Sequence, residues 1–75
     1  MKAIEKIETL TIKVVHSGVE ARKPGTALET VYRWRAALRD GRGVADPIKT
    51  LLIEATRDTT QPICWADFAP GEANL

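Results

Sequence analysis

The chain has 75 residues, of which 44% are hydrophobic and 28% are charged, and its formal net charge is +1. This length and composition predict one small soluble domain with one core. They exclude a membrane span, which needs roughly 20 apolar residues in a row, and no signal peptide is recognisable after Met1. A single cysteine, Cys64, excludes an internal disulfide, and together with the single histidine it is too little for a structural zinc site. We expect a cytoplasmic protein without a cofactor.

Charge is unevenly distributed along the chain. Residues 20–42 carry six basic and three acidic side chains, a local charge of +3, whereas residues 43–75 carry two basic and five acidic side chains, a local charge of −3. A cluster of this size is compatible with a solvated face and with an anion-binding surface. The basic part of the chain also contains the clearest motif, which lies at residues 21–34.

The N-terminal residues 3–16 fit two patterns. Apolar residues recur there at helical spacing, at Ile4, Ile7, Leu10 and Val14. Apolar and polar residues also alternate from Leu10 to Val14, and the β-branched composition of this stretch suits a strand. We predict a helix, because Ile4 and Ile7 extend the helical stripe, and a short strand remains the alternative.

A short helix is predicted over residues 18–23, after a break at Ser17-Gly18. Ser17 would be its N-cap. Pro24-Gly25 would end it, because the residue before a proline is disfavoured in the α region and a glycine suits a left-handed turn position.

The clearest helix is predicted over residues 27–40. Thr26 would be its N-cap, and Glu29, three residues later, would complete a capping box. One apolar stripe follows the helix at the positions Ala27, Val31, Trp34 and Leu38. The turn signal Asp40-Gly41-Arg42-Gly43 ends it.

A further helix and a C-terminal clip complete the chain. Asp46 and Pro47 would be the N-cap and first position of a helix whose buried face contains Ile48, Leu51, Leu52 and Ala55. The clip would return to the core through Ile63, Trp65 and Phe68, with Cys64 buried beside them and one helical turn starting near Ala66. Residues 1–70 would form a single domain, and residues 71–75 would be a frayed tail.

Residues 21–34 have the spacing of a helix-turn-helix unit. Ala21 would let the second helix cross closely, Gly25 would supply the positive φ of the turn, and Val31 and Trp34 would anchor the second helix to the core. Such a unit often places its second helix in the major groove of DNA. The same spacing also occurs where two short helices meet in domains that never touch DNA.

A wider resemblance covers roughly residues 19–70. Its segments, in order, are ValTyrArgTrpArg at 31–35, GlyArgGly at 41–43, IleLysThrLeuLeuIleGluAlaThr at 48–56 and TrpAlaAspPheAlaPro at 65–70. In these segments the chain resembles the lambda-repressor-like (Cro/CI) DNA-binding family, and especially its small phage, prophage and antitoxin-type members. The resemblance implies an all-α bundle of about four to five short helices and a prokaryotic or phage-encoded transcription regulator.

The outward face of the helix over residues 27–40 would read DNA. Arg33 is the best candidate for a base contact, because its fork can bond two acceptors of a guanine. The other candidates for base contacts are Tyr32, Glu29 and Leu28. The candidates for phosphate contacts are Arg22, Lys23, Thr26, Arg35, Arg39 and Arg42.

We therefore predict a regulator, in particular a repressor, that binds specific sites in double-stranded DNA. A homodimer is expected, because one such helix buries too little surface for high specificity. Its dimer surface could come from the helix after Asp46, the C-terminal clip or the N-terminal segment. No phosphate loop, metal-ligand cluster or catalytic set is present, so neither enzymatic activity nor a small-molecule ligand is expected. The alternative is a protein-interaction module, an antitoxin-like inhibitor or adaptor, that does not bind DNA.

Overall fold

The computed structural model describes residues 2–68, which fold into four α-helices and one short 3₁₀ helix. The elements are α1 (Ala3–Leu10), α2 (Ile12–Arg22), α3 (Leu28–Arg39), α4 (Asp46–Ala55) and the 3₁₀ helix (Trp65–Phe68). The predicted all-α class is confirmed, and the described residues contain no strand. The tail predicted at residues 71–75 lies outside the described part of the chain.

The core is built around the contact between α2 and α4, which pack together more extensively than any other pair. Helix α1 packs against α2 and α3, and the 3₁₀ helix packs against α4. Every element contributes buried hydrophobic side chains, which are Ala3, Ile7, Leu10, Val15, Val19, Val31, Leu52, Ala55, Ile63 and Phe68. Trp34, Leu38, Ile48 and Leu51 are partly buried against this cluster.

The N-terminal segment is helical, but it forms two helices that meet at Thr11. Thr11 has a φ of 79°, and no other non-glycine residue of the described chain has a positive φ. The corner changes which side chains reach the core, since Val15 is buried while Val14 is 43% exposed. The prediction of Val14 in the apolar stripe is therefore wrong. Leu10 and Val15 would lie about 140° apart on a straight helix, so they would not share one narrow face, whereas the corner at Thr11 separates them into two helices that each face the core.

Helix α2 continues through Ser17-Gly18, so the break predicted there is wrong. Gly18 lies directly against α4, because a Cβ atom at this position would overlap the carbonyl oxygen of Ala55. Ala21, which the motif assigns to a close helix crossing, is exposed. The close approach thus occurs about one turn earlier and joins α2 to α4, not to α3.

The caps of α3 and α4 also differ from the prediction. Ala27 and Ala45 are the N-caps, and neither helix has a side-chain cap hydrogen bond. Asp46 is instead the first residue of α4, where its negative charge interacts favourably with the positive end of the helix dipole. The hydroxyl of Thr26 donates to the carbonyl oxygen of Lys23 (2.8 Å) and so stabilises the turn before α3.

The C-terminal clip is held by a buried hydroxyl. Thr56 is fully buried; its Oγ1 donates to the carbonyl oxygen of Leu52 (2.9 Å) and accepts the N–H of Ile63 (2.9 Å). Ile63 and Phe68 are buried, as predicted. Trp65 is 52% exposed, and its ring meets the Phe68 ring edge-on at 6.5 Å between centroids. The expected burial of Trp65 is thus wrong, because Phe68 occupies the site against the core.

An ion pair attaches the clip to α1. Nζ of Lys6 donates to Oδ2 of Asp67 (2.7 Å) and to the carbonyl oxygen of Pro62 (2.8 Å). The same carboxylate oxygen accepts the N–H of Cys64 (2.9 Å), which caps the 3₁₀ helix. Burial alone raises the pKa of Asp67, but the Lys6 ammonium and the Cys64 N–H together lower it below its ordinary value. Cys64 itself is exposed at this cap position, so its predicted burial is wrong.

Candidate nucleic-acid interface

The turn between α2 and α3 is held by glycine geometry and two side chains. Gly25 has a φ of 92°, the left-handed conformation that the motif predicts. Nε2 of His16 lies 2.8 Å from the carbonyl oxygen of Thr26 and donates to it, since a carbonyl oxygen only accepts. His16 lies in the middle of α2, and Thr26 directly precedes the N-cap of α3. Together with the bond from Thr26 to Lys23, this contact fixes the start of α3 relative to α2.

Helix α3 has one face on the core and one in solvent. Val31 is buried, and Trp34 and Leu38 are partly buried, so three of the four predicted stripe positions are confirmed. Ala27 is exposed because it is the N-cap and lies outside the helix, and its place in the stripe is wrong. The solvent face carries three exposed candidates for base contacts, which are Glu29, Tyr32 and Arg33, and the fourth candidate, Leu28, is half-buried.

The N-terminal end of α3 differs from the expectation for Thr26. Its N–H, a candidate phosphate donor, bonds to the carbonyl oxygen of Lys23 at 3.4 Å. Its hydroxyl uses the same acceptor, so the capping box predicted between Thr26 and Glu29 does not form. The carboxylate of Glu29 therefore stays on the exposed face of α3, free of that role.

A guanidinium group and an aromatic ring are in cation–π contact on α3. Cζ of Arg35 lies 4.9 Å from the centroid of the Tyr32 ring, within the roughly 6 Å of a cation–π contact. The residues are three positions apart and thus neighbours on the helix surface. Tyr32 is 41% exposed, and Arg35 is half-buried. The stack brings the head of Arg35 to the ring of a candidate base-contact residue.

Two candidate phosphate contacts are already paired with carboxylates. Arg39 donates from Nε (3.1 Å) and from Nη2 (2.8 Å) to Oε2 of Glu8 on α1. Arg42 donates to Oδ2 of Asp40 (3.2 Å). Exposed pairs of this kind contribute at most about 1 kcal/mol, so a phosphate that binds either arginine has to displace a weakly held carboxylate.

Other cations near the turn have available head groups. Lys23 and Arg33 are exposed, and neither side chain has a hydrogen-bond or ion-pair partner among residues 2–68. Arg22 uses one donor on a backbone carbonyl of its own helix at 3.3 Å, which leaves most of its five donors available. Two exposed carboxylates, Glu20 and Glu29, lie on the same pair of helices. Available positive charge is therefore present at the turn and on the outer face of α3.

Sequence patterns missed two contacts that organise this surface. His16 reaches the turn across ten positions, and Glu8 reaches Arg39 across thirty-one positions. Periodicity predicts which face of a helix a residue occupies, but it carries no information about a polar partner on another element. A histidine on the half-buried edge of the helix before a glycine turn is the only local signal that either contact offers.

A second surface lies away from the turn. An open depression of about 430 Å³ is lined by Leu38, Gly41, Arg42, Gly43, Val44, Ala45, Lys49 and Phe68. Nζ of Lys49 lies 5.8 Å from the centroid of the exposed Trp65 ring and 5.9 Å from that of Phe68. Exposed tryptophan side chains are enriched among the residues that dominate protein–protein binding energy.

Comparison of the chain with protein-family models, curated proteins and solved structures found no match. No helix in the described range is long and apolar enough to cross a membrane. In residues 2–68, no three His, Cys, Asp or Glu side chains are grouped in a way that could hold a metal ion.

Proposed function

We propose that the protein is a Cro/CI-type helix-turn-helix regulator that binds specific sites in double-stranded DNA through α3 and represses transcription. The observation that carries this proposal is the division of α3 into two faces. Val31 and Trp34 attach the helix to the core, while Tyr32 and Arg33 extend into solvent from the other side. Such a helix can enter the major groove, about 12 Å wide, without giving up its packing.

The charges around α3 support an anionic partner. Arg33 and Lys23 have no partner within the described chain, and Arg22 is nearly free. Phosphate contacts by such side chains supply most of the sequence-independent affinity for DNA. Base contacts supply the discrimination, and Arg33 and Glu29 match guanine acceptors and the cytosine amino group respectively. We assign Arg33 to base reading and Arg22 and Lys23 to phosphates.

We propose further that two copies bind one site. A single helix of twelve residues (α3) reads few base pairs, and helix-turn-helix proteins extend their sites by pairing half-sites about 34–36 Å apart. A dimer would therefore protect a palindromic site. Footprinting on duplex DNA, together with sedimentation of the free protein and of the complex, measures both the site and the stoichiometry.

Salt-dependent binding tests the proposal. A fluorescent duplex of about 20 base pairs, selected by the protein from a random pool, spans two half-sites and should bind with an affinity that falls steeply between about 50 and 200 mM salt. Arg33→Ala should weaken binding to the selected site by about five- to 150-fold and binding to an unrelated duplex by less.

Arg57→Ala is the matched control. It removes the same charge just after α4, where the guanidinium pairs with Glu54 at 2.6 Å. Its affinity for the selected duplex should stay within about twofold of the wild type, since that surface pair is not part of α3. A folded wild-type protein that binds no duplex at about 50 mM salt contradicts the proposal.

One observation favours the alternative function, a protein-interaction module. Trp65 is exposed beside the depression between α3 and α4, and Lys49 lies over its ring. If DNA binding is the function and the clip is not the dimer surface, Trp65→Ala leaves duplex affinity unchanged. If duplex binding is absent, this tryptophan and depression are the surface on which a protein partner would dock.

A further inference from the structure

The arginines of the basic region differ in how their donors are used. Arg39 bonds to a carboxylate through two nitrogens and Arg42 through one, and Arg22 bonds to a backbone carbonyl. Arg33 is free but nothing orients it. Arg35 alone is both oriented, by the Tyr32 ring at 4.9 Å, and without a hydrogen-bond acceptor among residues 2–68.

A cation–π contact uses none of the N–H donors of a guanidinium group. Cζ of Arg35 lies over the Tyr32 ring, and the five N–H donors lie in the plane of the group, along its edge. An arginine held in this way has lost rotamer freedom before it meets a partner, so less entropy is lost when its fork forms two hydrogen bonds. Arg35 is therefore preorganised for bidentate recognition.

The contact with Tyr32 also determines which part of α3 the guanidinium group of Arg35 lies beside. Arg35 reaches back by three residues, toward the N-terminal half of α3, which is also the direction in which helical side chains lean. The N-terminal half of a recognition helix is the part that reaches base edges. An unstacked arginine at this half-buried flank would be placed for a phosphate, because flanking positions lie beside the DNA backbone.

We infer that Arg35 reads a guanine in the major groove and that Tyr32 is the platform that orients its guanidinium group. This inference rests on the proposed DNA-binding function. A planar fork matches the O6 and N7 acceptors of guanine and also the oxygens of a phosphate, but only a guanine contact makes the affinity depend on one base pair. The substitution Arg35→Lys keeps the charge and removes the fork, so a loss of preference confined to one base pair identifies a base contact.

The test compares base preference position by position. Wild-type protein and variants are titrated against the duplex selected from the random pool and against the same duplex with each base pair changed in turn. For Arg35→Lys, the preference for one G·C pair should fall about tenfold or more, while affinity for an unrelated duplex and the salt slope stay close to wild type. Arg35→Gln, which also lacks the fork, should lose preference at the same pair.

Substitutions of Tyr32 test the platform. Tyr32→Phe keeps the ring and should retain the preference for the Arg35 pair, whereas Tyr32→Leu should lose it. The double variant Tyr32→Leu with Arg35→Lys should be no worse at that pair than either single variant, since both remove the same contact. Far-ultraviolet circular dichroism and the thermal midpoint check that every variant remains folded.

The outcomes separate the two proposals. A wild-type protein that binds no duplex overturns DNA binding and the inference with it. A wild-type protein that binds with a steep salt dependence, but whose base preferences are all retained in both Arg35→Lys and Arg35→Gln, overturns the inference alone. Equal weakening of every duplex by Arg35→Lys also overturns it, because that result assigns Arg35 to a phosphate.

Discussion

The C-terminal clip and the region formed by the turn and α3 use their polar groups in opposite ways. In the clip, Thr56 is fully buried and the ion pair of Lys6 and Asp67 is largely covered, and each bonds across elements. On α3 and the turn before it, Arg33 and Lys23 extend into solvent without partners in the described chain. Polar groups that are satisfied internally hold a fold together, whereas those left in solvent remain available to a ligand. The polar groups of the clip are therefore used within the fold, whereas those of Arg33 and Lys23 are available to a partner.

The largest effect is expected from Gly18→Ala. The new Cβ would overlap the carbonyl oxygen of Ala55, which is backbone and moves only if α2 and α4 separate. We expect a loss of about 3 kcal/mol in the free energy of unfolding, which lowers the midpoint of thermal unfolding by at least about 10 °C in so small a domain. Urea denaturation measures the free energy directly.

Ala21→Val is the control for that substitution. Ala21 is the position that the helix-turn-helix spacing assigns to the close crossing, yet it is exposed. Its free energy of unfolding should stay within roughly 1 kcal/mol of wild type, since only helix propensity changes. A Gly18→Ala variant more stable than wild type, as propensity alone would give, would disprove the contact between α2 and α4.

The pH dependence of the stability of Asp67→Asn tests whether the ion pair with Lys6 stabilises the clip. The variant should lose about 1–2 kcal/mol at neutral pH, because it removes a charged hydrogen bond to Lys6. The pKa of Asp67 is lowered in the folded state, so its stabilisation is fully present above the unfolded value of about 3.9 and is lost as the pH falls through the folded value. The difference in stability between wild type and variant should therefore shrink below about pH 4.

Glu54→Gln is the matched control for the pH series. Glu54 pairs with Arg57 in solvent, so its removal should change the free energy of unfolding by no more than about 0.5 kcal/mol at any pH. A wild-type advantage over Asp67→Asn that persists unchanged to about pH 2 would mean that the ion pair with Lys6 does not stabilise the clip.

The helical content and the core-facing side of α3 could be predicted from the local sequence. The places where helices meet, at Thr11 and at Gly18, could not. Apolar spacing located Val31 and Trp34 on the core side, and Gly25 marked the turn, because both depend on local backbone geometry. The corner at Thr11 and the close contact at Gly18 depend on what the helices meet in three dimensions. Periodicity therefore predicted one continuous helix through the corner at Thr11. The Ser17-Gly18 pair was interpreted as a break, although the glycine is needed there for close packing against α4.

In the candidate site, too, the exposure of a residue could be predicted from the sequence, but its polar partner could not. Exposure of Arg33 and Tyr32 follows from the stripe on the other face of α3, so it was predictable. The state of each guanidinium was not, since Arg39 pairs with a residue of α1 and Arg35 stacks on an aromatic ring. Counting basic residues treats these side chains as equal, whereas their partners make them chemically different.

The smallest expected effect is on duplex affinity when the ion pair between Arg39 and Glu8 is removed. Glu8→Gln should free this cation and raise the affinity for every duplex by no more than about threefold, with a salt slope steeper by up to about 0.9. Arg39→Ala in the wild-type background should change affinity by less than about twofold, because the fork already has a carboxylate partner. In the Glu8→Gln background, Arg39→Ala should remove the whole gain in affinity, since that gain comes from the released arginine.

Titrations of the wild type, the two single variants and the double variant over the same salt range measure the affinity and the salt slope. If Arg39→Ala alone weakens all duplexes and lowers the slope by about one, phosphate displaces Glu8 in the complex, and the working surface extends from α3 to the end of α1.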